Sequence, residues 1–196
     1  CFNYCITMAI SIDGSNNTIS GLAVGGLPDG CVDTDMLATG AASGSKLTMS
    51  TGTVLKIVEG STTTQQTPTG QNFVLCLQKD ITPSATANNI FISAVMQYGI
   101  ATSNNADEGL GFKLTRTVSG TETTIYQSDD PYDVYEYGSS GLSETRSHKT
   151  IQVLDTGIST TGTATYKVYA RDYSGGTSSV CTAGAKSTIH LFEVKG

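Results

Sequence analysis

The chain is 196 residues long, with 38% hydrophobic and 14% charged residues, no Trp and a formal net charge of −6. That length suits one domain with a buried core. The acidic balance, with no Lys/Arg cluster, excludes a surface that tracks a phosphate backbone, so no nucleic-acid partner is expected.

Ser and Thr supply about a quarter of the residues and Gly another 22. The mixture is too poor in Leu, Glu and Lys to be helical. It is too rich in Val, Ile, Tyr and Phe to be wholly disordered, and reads as an all-β chain with many turns.

Cys1–Thr7 lack the basic and long apolar regions of a signal peptide and precede an initiator candidate, Met8. No segment approaches the ~20 apolar residues that span a bilayer, so no membrane insertion is expected. Over residues 8–26, Ile10, Ile12 and Ile19 alternate with polar residues around the turn Asp13–Asn17, which predicts two short strands or an extended arm. Gly25–Gly30, with Pro28 among its glycines, is turn chemistry. Asp33 is placed to cap one or two helical turns over Met36–Ala42, the single helix the sequence predicts. Residues 1–45 are assigned to an N-terminal arm.

From about Lys46 onward strand follows strand. The candidates are Val54–Val58, Gln71–Lys79, Asn89–Tyr98, Gly111–Val118, Thr123–Gln127, Lys149–Leu154, Ala164–Arg171 and Ser187–Val194. Ile90, Ile92, Ala94 and Met96 share one face of their strand. Tyr166, Val168 and Ala170 share one face of theirs, and Ile189, Leu191 and Glu193 do the same near the end. Eight short strands separated by Gly/Ser/Thr/Asn turns predict a β-sandwich over 46–196, plausibly a jelly roll.

The five cysteines, Cys1, Cys5, Cys31, Cys76 and Cys181, show no CxxC pair and no neighbouring His pair, which argues against zinc. Cys76 sits in an apolar run and reads as a small buried hydrophobe. A bridge between any two cysteines stays open, with the reduced state favoured.

Residues 128–141 break the strand rhythm with three Tyr and four carboxylates in a predicted loop. Asp129, Asp130, Asp133 and Glu136 are the residue types of a glycosidase pair or a hard-cation site. Closeness in sequence fixes no separation between them, no apolar pocket is evident, and the spacing is not that of an EF-hand. An exposed acidic loop explains them as well. Tyr132, Tyr135 and Tyr137 suit a recognition surface, because Tyr brings contact area at low entropy cost and stacks on sugar rings. Packing inside an oligomer suits them equally. Asp129, Asp130, Tyr132, Asp133, Tyr135, Glu136 and Tyr137 are therefore the candidate binding residues, for a host or an intersubunit contact.

His148 and His190 lie at or within predicted strands with no ligand-spaced partner, and no serine has a nucleophile setting. The Gly21–Gly30 run matches neither phosphate-loop nor dinucleotide pattern. No catalytic residue, metal or cofactor is assigned, and the chain reads as non-enzymatic.

The N-terminal cassette, Met8–Gly14 (MAISIDG), Gly21–Gly30 (GLAVGGLPDG) and Val32–Ala38 (VDTDMLA), resembles the opening of a phage virion protein. Lys79–Ile92 resembles a turn-and-strand segment of phage tail-fibre-like proteins. Thr165–Arg171 with Ser187–Val194 resembles their closing hairpin. Two departures stand out: Asn88-Asn89 replaces a usual Lys, and the acidic Tyr-rich stretch has no counterpart. The resemblance implies a homotrimeric virion β-domain assembled in the host cytoplasm, docked to other virion proteins through the arm. A short tail fibre or receptor-binding spike contacting a host surface glycan or receptor is the favoured role. A capsid decoration or cement protein, and then a secreted bacterial adhesin or filament subunit, are the alternatives.

Overall fold

The structure is a computed structural model that describes residues 11–13, 18–20, 49–102, 106–128, 132–138, 143–173 and 177–196. The chain divides into two compact units, Cys1–Thr48 and Met49–Gly196. In the first, β1 (Ser11–Asp13) and β2 (Thr18–Ser20) pair antiparallel, with Ile12 opposite Ile19. The helical turns expected after Asp33, the glycine turn before it, and Cys1, Cys5 and Cys31 lie outside the described residues.

The second unit contains β3 (Val54–Thr62), β4 (Val74–Ile81), β5 (Asn89–Thr102), β6 (Glu108–Val118), β7 (Thr121–Gln127), β8 (Val134–Glu136), β9 (Ser143–Asp155), β10 (Ala164–Asp172), β11 (Ser179–Val180) and β12 (Ser187–Val194). One antiparallel sheet runs β3–β12–β5–β9, with β11 continuing the β12 side of β5. The other runs β4–β10–β6–β7, with β8 continuing the β7 side of β6. Numbered by rank along the chain, the eight long strands lie in the orders 1-8-3-6 and 2-7-4-5. That is the two-sheet order of a jelly roll.

All eight long strands coincide with those predicted from alternation, several of them longer than expected. β8 and β11 were not anticipated. The second predicted strand begins three residues late, at Val74, which leaves Phe73 free to lie beneath two cations, with Lys113 Nζ 4.6 Å and Arg171 Cζ 4.8 Å from its ring centroid. The β6–β7 turn places Ser119 (φ 49°) and Gly120 (φ 82°) both in the left-handed region, the backbone of a two-residue hairpin whose twist matches its strands.

The core contains the faces that alternation picked out on β5, β10 and β12, and adds one on β6. Ile90, Ile92, Ala94 and Met96 on β5, Leu110, Phe112 and Leu114 on β6, Tyr166, Val168 and Ala170 on β10, and Ile189 and Leu191 on β12 are all 0% exposed. Each Val, Leu, Ile, Phe or Met among them contributes about 1.5–3 kcal/mol through burial. Cys76 and Cys181 are both free thiols in or beside this core, and burial pushes Cys76 up to about 12.

Two buried carboxylates inside the sandwich are held by several donors each. Asp155 on β9 accepts from Arg116 Nη1 at 2.7 Å and from the Tyr166 hydroxyl at 2.8 Å, joining the two sheets. Glu193, 1% exposed on β12, accepts from Ser84 N, Ser84 Oγ and Asn88 Nδ2, each at 2.6 Å. That arrangement gives Asn88 a structural reason: an uncharged amide donates where the β4–β5 turn meets a buried carboxylate.

Candidate functional site

One end of the sandwich gathers four tyrosines around a glycine. In the β6–β8 register Gly109 stands opposite Tyr135, and Tyr173, just past β10, donates its backbone N–H to Gly109 O at 2.9 Å. Gly109 has no side chain to fill the outward position between its neighbours. A Cβ there would lie 3.0 Å from the Tyr132 ring and 2.9 Å from Val134 O. The missing Cβ is what lets the tyrosine rings close over the backbone.

The rings form a continuous cluster. Tyr132 stacks on Tyr135 at 4.9 Å between centroids and meets Tyr173 edge-on at 4.5 Å. Tyr137 packs edge-on against Tyr135 at 4.9 Å and is itself 80% exposed. Offset and edge-to-face contacts of this kind add about 0.5–1.5 kcal/mol each beyond burial. Asp107 holds the cluster from beside it, accepting hydrogen bonds from the Tyr135 hydroxyl at Oδ2 and, at Oδ1, from the Gly138 N–H at 2.7 Å. The Gly138 amide and then the Tyr135 hydroxyl keep Asp107 below the usual carboxylate range. The hydrogen bond to Asp107 in turn raises the Tyr135 phenol above its ordinary value.

The predicted site residues separate into distinct roles. Tyr132, Tyr135 and Tyr137 come together as the cluster, and Tyr137 is its exposed face. Asp133 is a structural pin rather than a free acid. Its Oδ2 accepts from Phe112 N at 2.8 Å, and its Oδ1 takes the Tyr126 hydroxyl and Lys149 Nζ, the latter at 2.8 Å. Lys149 lies on β9, so Asp133 also ties the two sheets. Glu136 accepts a hydrogen bond from Thr145 on β9. Asp129 and Asp130 lie outside the described residues. The stretch is also not loop throughout, because β8 docks Val134–Glu136 onto β6.

Tyr173 and Asp107 escaped sequence reasoning because each sits far along the chain from residues 128–141. The available signal was Gly109 within an apolar strand, since a strand glycine marks a close approach of another group.

Chemically, the cluster is a half-exposed aromatic shelf with a carboxylate at its side. It offers π-faces and phenol hydroxyls for stacking and hydrogen bonding. Asp133 and Glu136 are engaged in separate networks, so they do not face one another as an acid–base pair. Among the described residues no group of three or more His, Cys, Asp or Glu side chains is placed to hold a metal ion. His148 is exposed on β9, and His190 Nε2 lies 3.8 Å from Glu59 Oε2 on the neighbouring strand.

No family model matches this chain, and no curated protein does. Among solved structures, it is similar to the T13 particle of infectious bursal disease virus at 10% identity and TM-score 0.38, covering 73% of this chain and 36% of that one. It is similar to the VP2 subviral particle of the same virus at 12% identity and TM-score 0.38, covering 77% and 40%. A third likeness, to Eiger TNF from S. frugiperda, has 11% identity and TM-score 0.27, covering 70% and 92%. The chain thus spans 36–40% of the length of these viral chains. Likenesses this distant carry no function over to it.

Proposed function

We propose that this chain is a non-enzymatic virion structural protein of a phage, acting as a short tail fibre or receptor-binding spike. The observation that carries the host-contact role is the tyrosine shelf, with Tyr137 80% exposed on a buttress of three further rings at one end of a packed sandwich. A rigid aromatic surface of this kind suits a surface glycan or a protein receptor, since little conformational entropy is lost when it binds. The virion assignment is supported by the cassette at residues 8–38 and its resemblance to phage tail-fibre-like proteins.

In this reading the protein is a homotrimer, its N-terminal arm docks to other virion proteins, and assembly takes place in the host cytoplasm. Three weak shelves on one particle then combine into avidity.

The test is immunogold labelling of purified particles with antibody raised against residues 46–196. Label at the tail is expected. Label spread over the head makes the protein a capsid decoration instead. Absence of label from every particle overturns the virion reading and favours a secreted adhesin or filament subunit.

A further inference from the structure

Alternation along β10 carries the tyrosine cluster into a row of cations on the same outer face. Tyr166, Val168 and Ala170 are buried inward, so Lys167, Tyr169 and Arg171 point outward. The ladder runs one step further, because Tyr173 donates its N–H to Gly109 O at 2.9 Å. Its ring meets those of Tyr132 and Tyr135 at 4.5 and 5.9 Å between centroids. On β6 the outward positions are Gly109, Gly111 and Lys113, with Gly111 opposite Arg171 and Lys113 opposite Tyr169. The two glycines put no β6 side chain between Lys113 and the rings.

Two of the cations crowd one ring. Lys113 Nζ lies 4.6 Å and Arg171 Cζ 4.8 Å from the centroid of Phe73, and Lys113 Nζ is also 4.8 Å from that of Tyr169. The two charges are therefore within about 10 Å of each other, the reach of a charge at 0.1 M salt, and they repel. Carboxylates outnumber cations in this chain by 17 to 11. Arg116, Arg146, Lys149, Lys167 and Lys186 each sit within 3.4 Å of one. Lys113 and Arg171 are in no such pair among the described residues, and the buried Arg171 Nε has no acceptor there. Glu122, on neighbouring β7, is taken up by Lys167 Nζ at 3.4 Å and the Tyr169 hydroxyl at 3.1 Å.

A guanidinium and an ammonium fixed side by side against a ring make a receptor for an oxyanion. The guanidinium presents a planar fork to two oxygens, and the ammonium adds a point charge. Arg171 and Tyr173 are two residues apart on one strand face, about 6.5–7 Å. An oxyanion held by Arg171 thus belongs to a molecule that also reaches the rings.

We propose that the tyrosine shelf and the Lys113–Arg171 pair are one binding site for an acidic glycan. Sugar rings lie against the tyrosines, and a carboxylate or phosphate substituent is taken by the two cations. This rests on the shelf being a recognition surface and adds the charge of what it recognises. The net charge of −6 repels an acidic polymer elsewhere on the chain and confines binding to this strip.

The experiment is calorimetric titration of the full chain with two matched pairs of soluble probes, oligogalacturonate against its methyl ester and phosphorylated dextran against plain dextran. The proteins are wild type, Lys113→Gln with Arg171→Gln, Tyr137→Ala, and a control, Lys186→Gln, whose cation is already paired with Glu59. Wild type and control should bind at least one acidic probe tenfold or more tighter than its neutral match in about 0.05 M salt, and the advantage should shrink in about 0.5 M. Which acid binds identifies the substituent. The double variant should lose that advantage, and Tyr137→Ala should weaken the acidic probe severalfold. Lys113 and Arg171 are partly exposed, and circular dichroism checks folding. If the double variant unfolds, Lys113→Gln alone takes its place and should lose threefold or more.

Equal affinity for acidic and neutral probes overturns the proposal, as does failure to bind either acid or an acidic preference that the cation variants keep. Neutral probes bound equally well and weakened by Tyr137→Ala remove only the charge and leave the shelf as a recognition surface. Acidic binding that Tyr137→Ala leaves intact overturns the shelf reading and, with it, the single site.

Discussion

The hydroxyl of Tyr166 on β10 donates to Asp155 Oδ2 on β9 at 2.8 Å, spanning the gap between the two sheets. Arg116 Nη1 reaches both oxygens of the same carboxylate at 2.7 Å, and the Gly157 N–H adds a fourth bond at 3.1 Å. Asp155 is 5% exposed and Arg116 13%, so neither charge has a ready replacement partner in water. Burial and the bond to Asp155 raise the Tyr166 phenol, which therefore stays a donor.

Removing one partner of such a pair strands the other. Asp155→Ala should cost about 3–5 kcal/mol in urea denaturation, since it leaves the Arg116 charge without its carboxylate. Tyr166→Phe should cost less, about 1.5–3 kcal/mol, because it removes one hydrogen bond to a charged group. A loss below about 1 kcal/mol for Asp155→Ala would mean the sheets are held together without this bridge.

Glu193 predicts an acid-sensitive step. Burial pushes its carboxyl up, but the Ser84 and Asn88 hydrogen bonds, with Lys56 nearby, outweigh that and hold it below its ordinary 4.5. A depressed folded-state value means the stabilisation is present above the unfolded value and is lost as pH falls through the folded one. Glu193→Gln should therefore lower Tm at neutral pH, and the gap from wild type should narrow below pH 4.5. A gap that stays constant into acid would show that the carboxylate's charge plays no part.

Tyr137 and Tyr132 should separate recognition from packing. Tyr137→Ala, at the exposed end of the cluster, is expected to reduce host adsorption severalfold while costing only the edge contact on Tyr135, about 0.5–1.5 kcal/mol. Tyr132→Ala removes a ring wedged between Tyr135 and Tyr173 and should cost about 2 kcal/mol. Equal adsorption by wild type and Tyr137→Ala would leave the shelf with a packing role alone.

Gly109→Ala tests the gap beneath the rings. The added methyl meets the Tyr132 ring and the backbone oxygen of Val134, so about 1–3 kcal/mol of overpacking cost is expected, with a changed near-ultraviolet tyrosine spectrum. An unaltered spectrum would show that the rings do not depend on that glycine.

Deleting residues 1–45 should leave a folded β protein that no longer joins particles. Incorporation of the truncated chain at wild-type levels would place the docking determinants in the sandwich instead.

Much of the fold was legible because side chains alternate across a strand with a period of two. The runs Ile90–Met96 and Tyr166–Ala170 announced their buried faces, and even Glu193 was correctly aligned with Ile189 and Leu191. The candidate site was legible only in part. The tyrosines were noticed by their density, but Asp133 and Glu136 looked like free carboxylates because their partners, Lys149 and Thr145, belong to another strand. Nothing local to residues 128–141 points to Asp107 or Tyr173.

By itself, then, the sequence determined the all-β class, the positions of the eight long strands and the inward faces of β5, β10 and β12, all consequences of local periodicity and turn chemistry. The tertiary structure alone decided which strands are neighbours, because pairing depends on register between segments far apart in the chain. That pairing sets Tyr173 beside Tyr132 over Gly109, and the packing of one sheet on the other joins Arg116 to Asp155. Pairing also draws Ile57, Phe192, Phe91 and Leu154 into one row, four residues that no window of the sequence contains together.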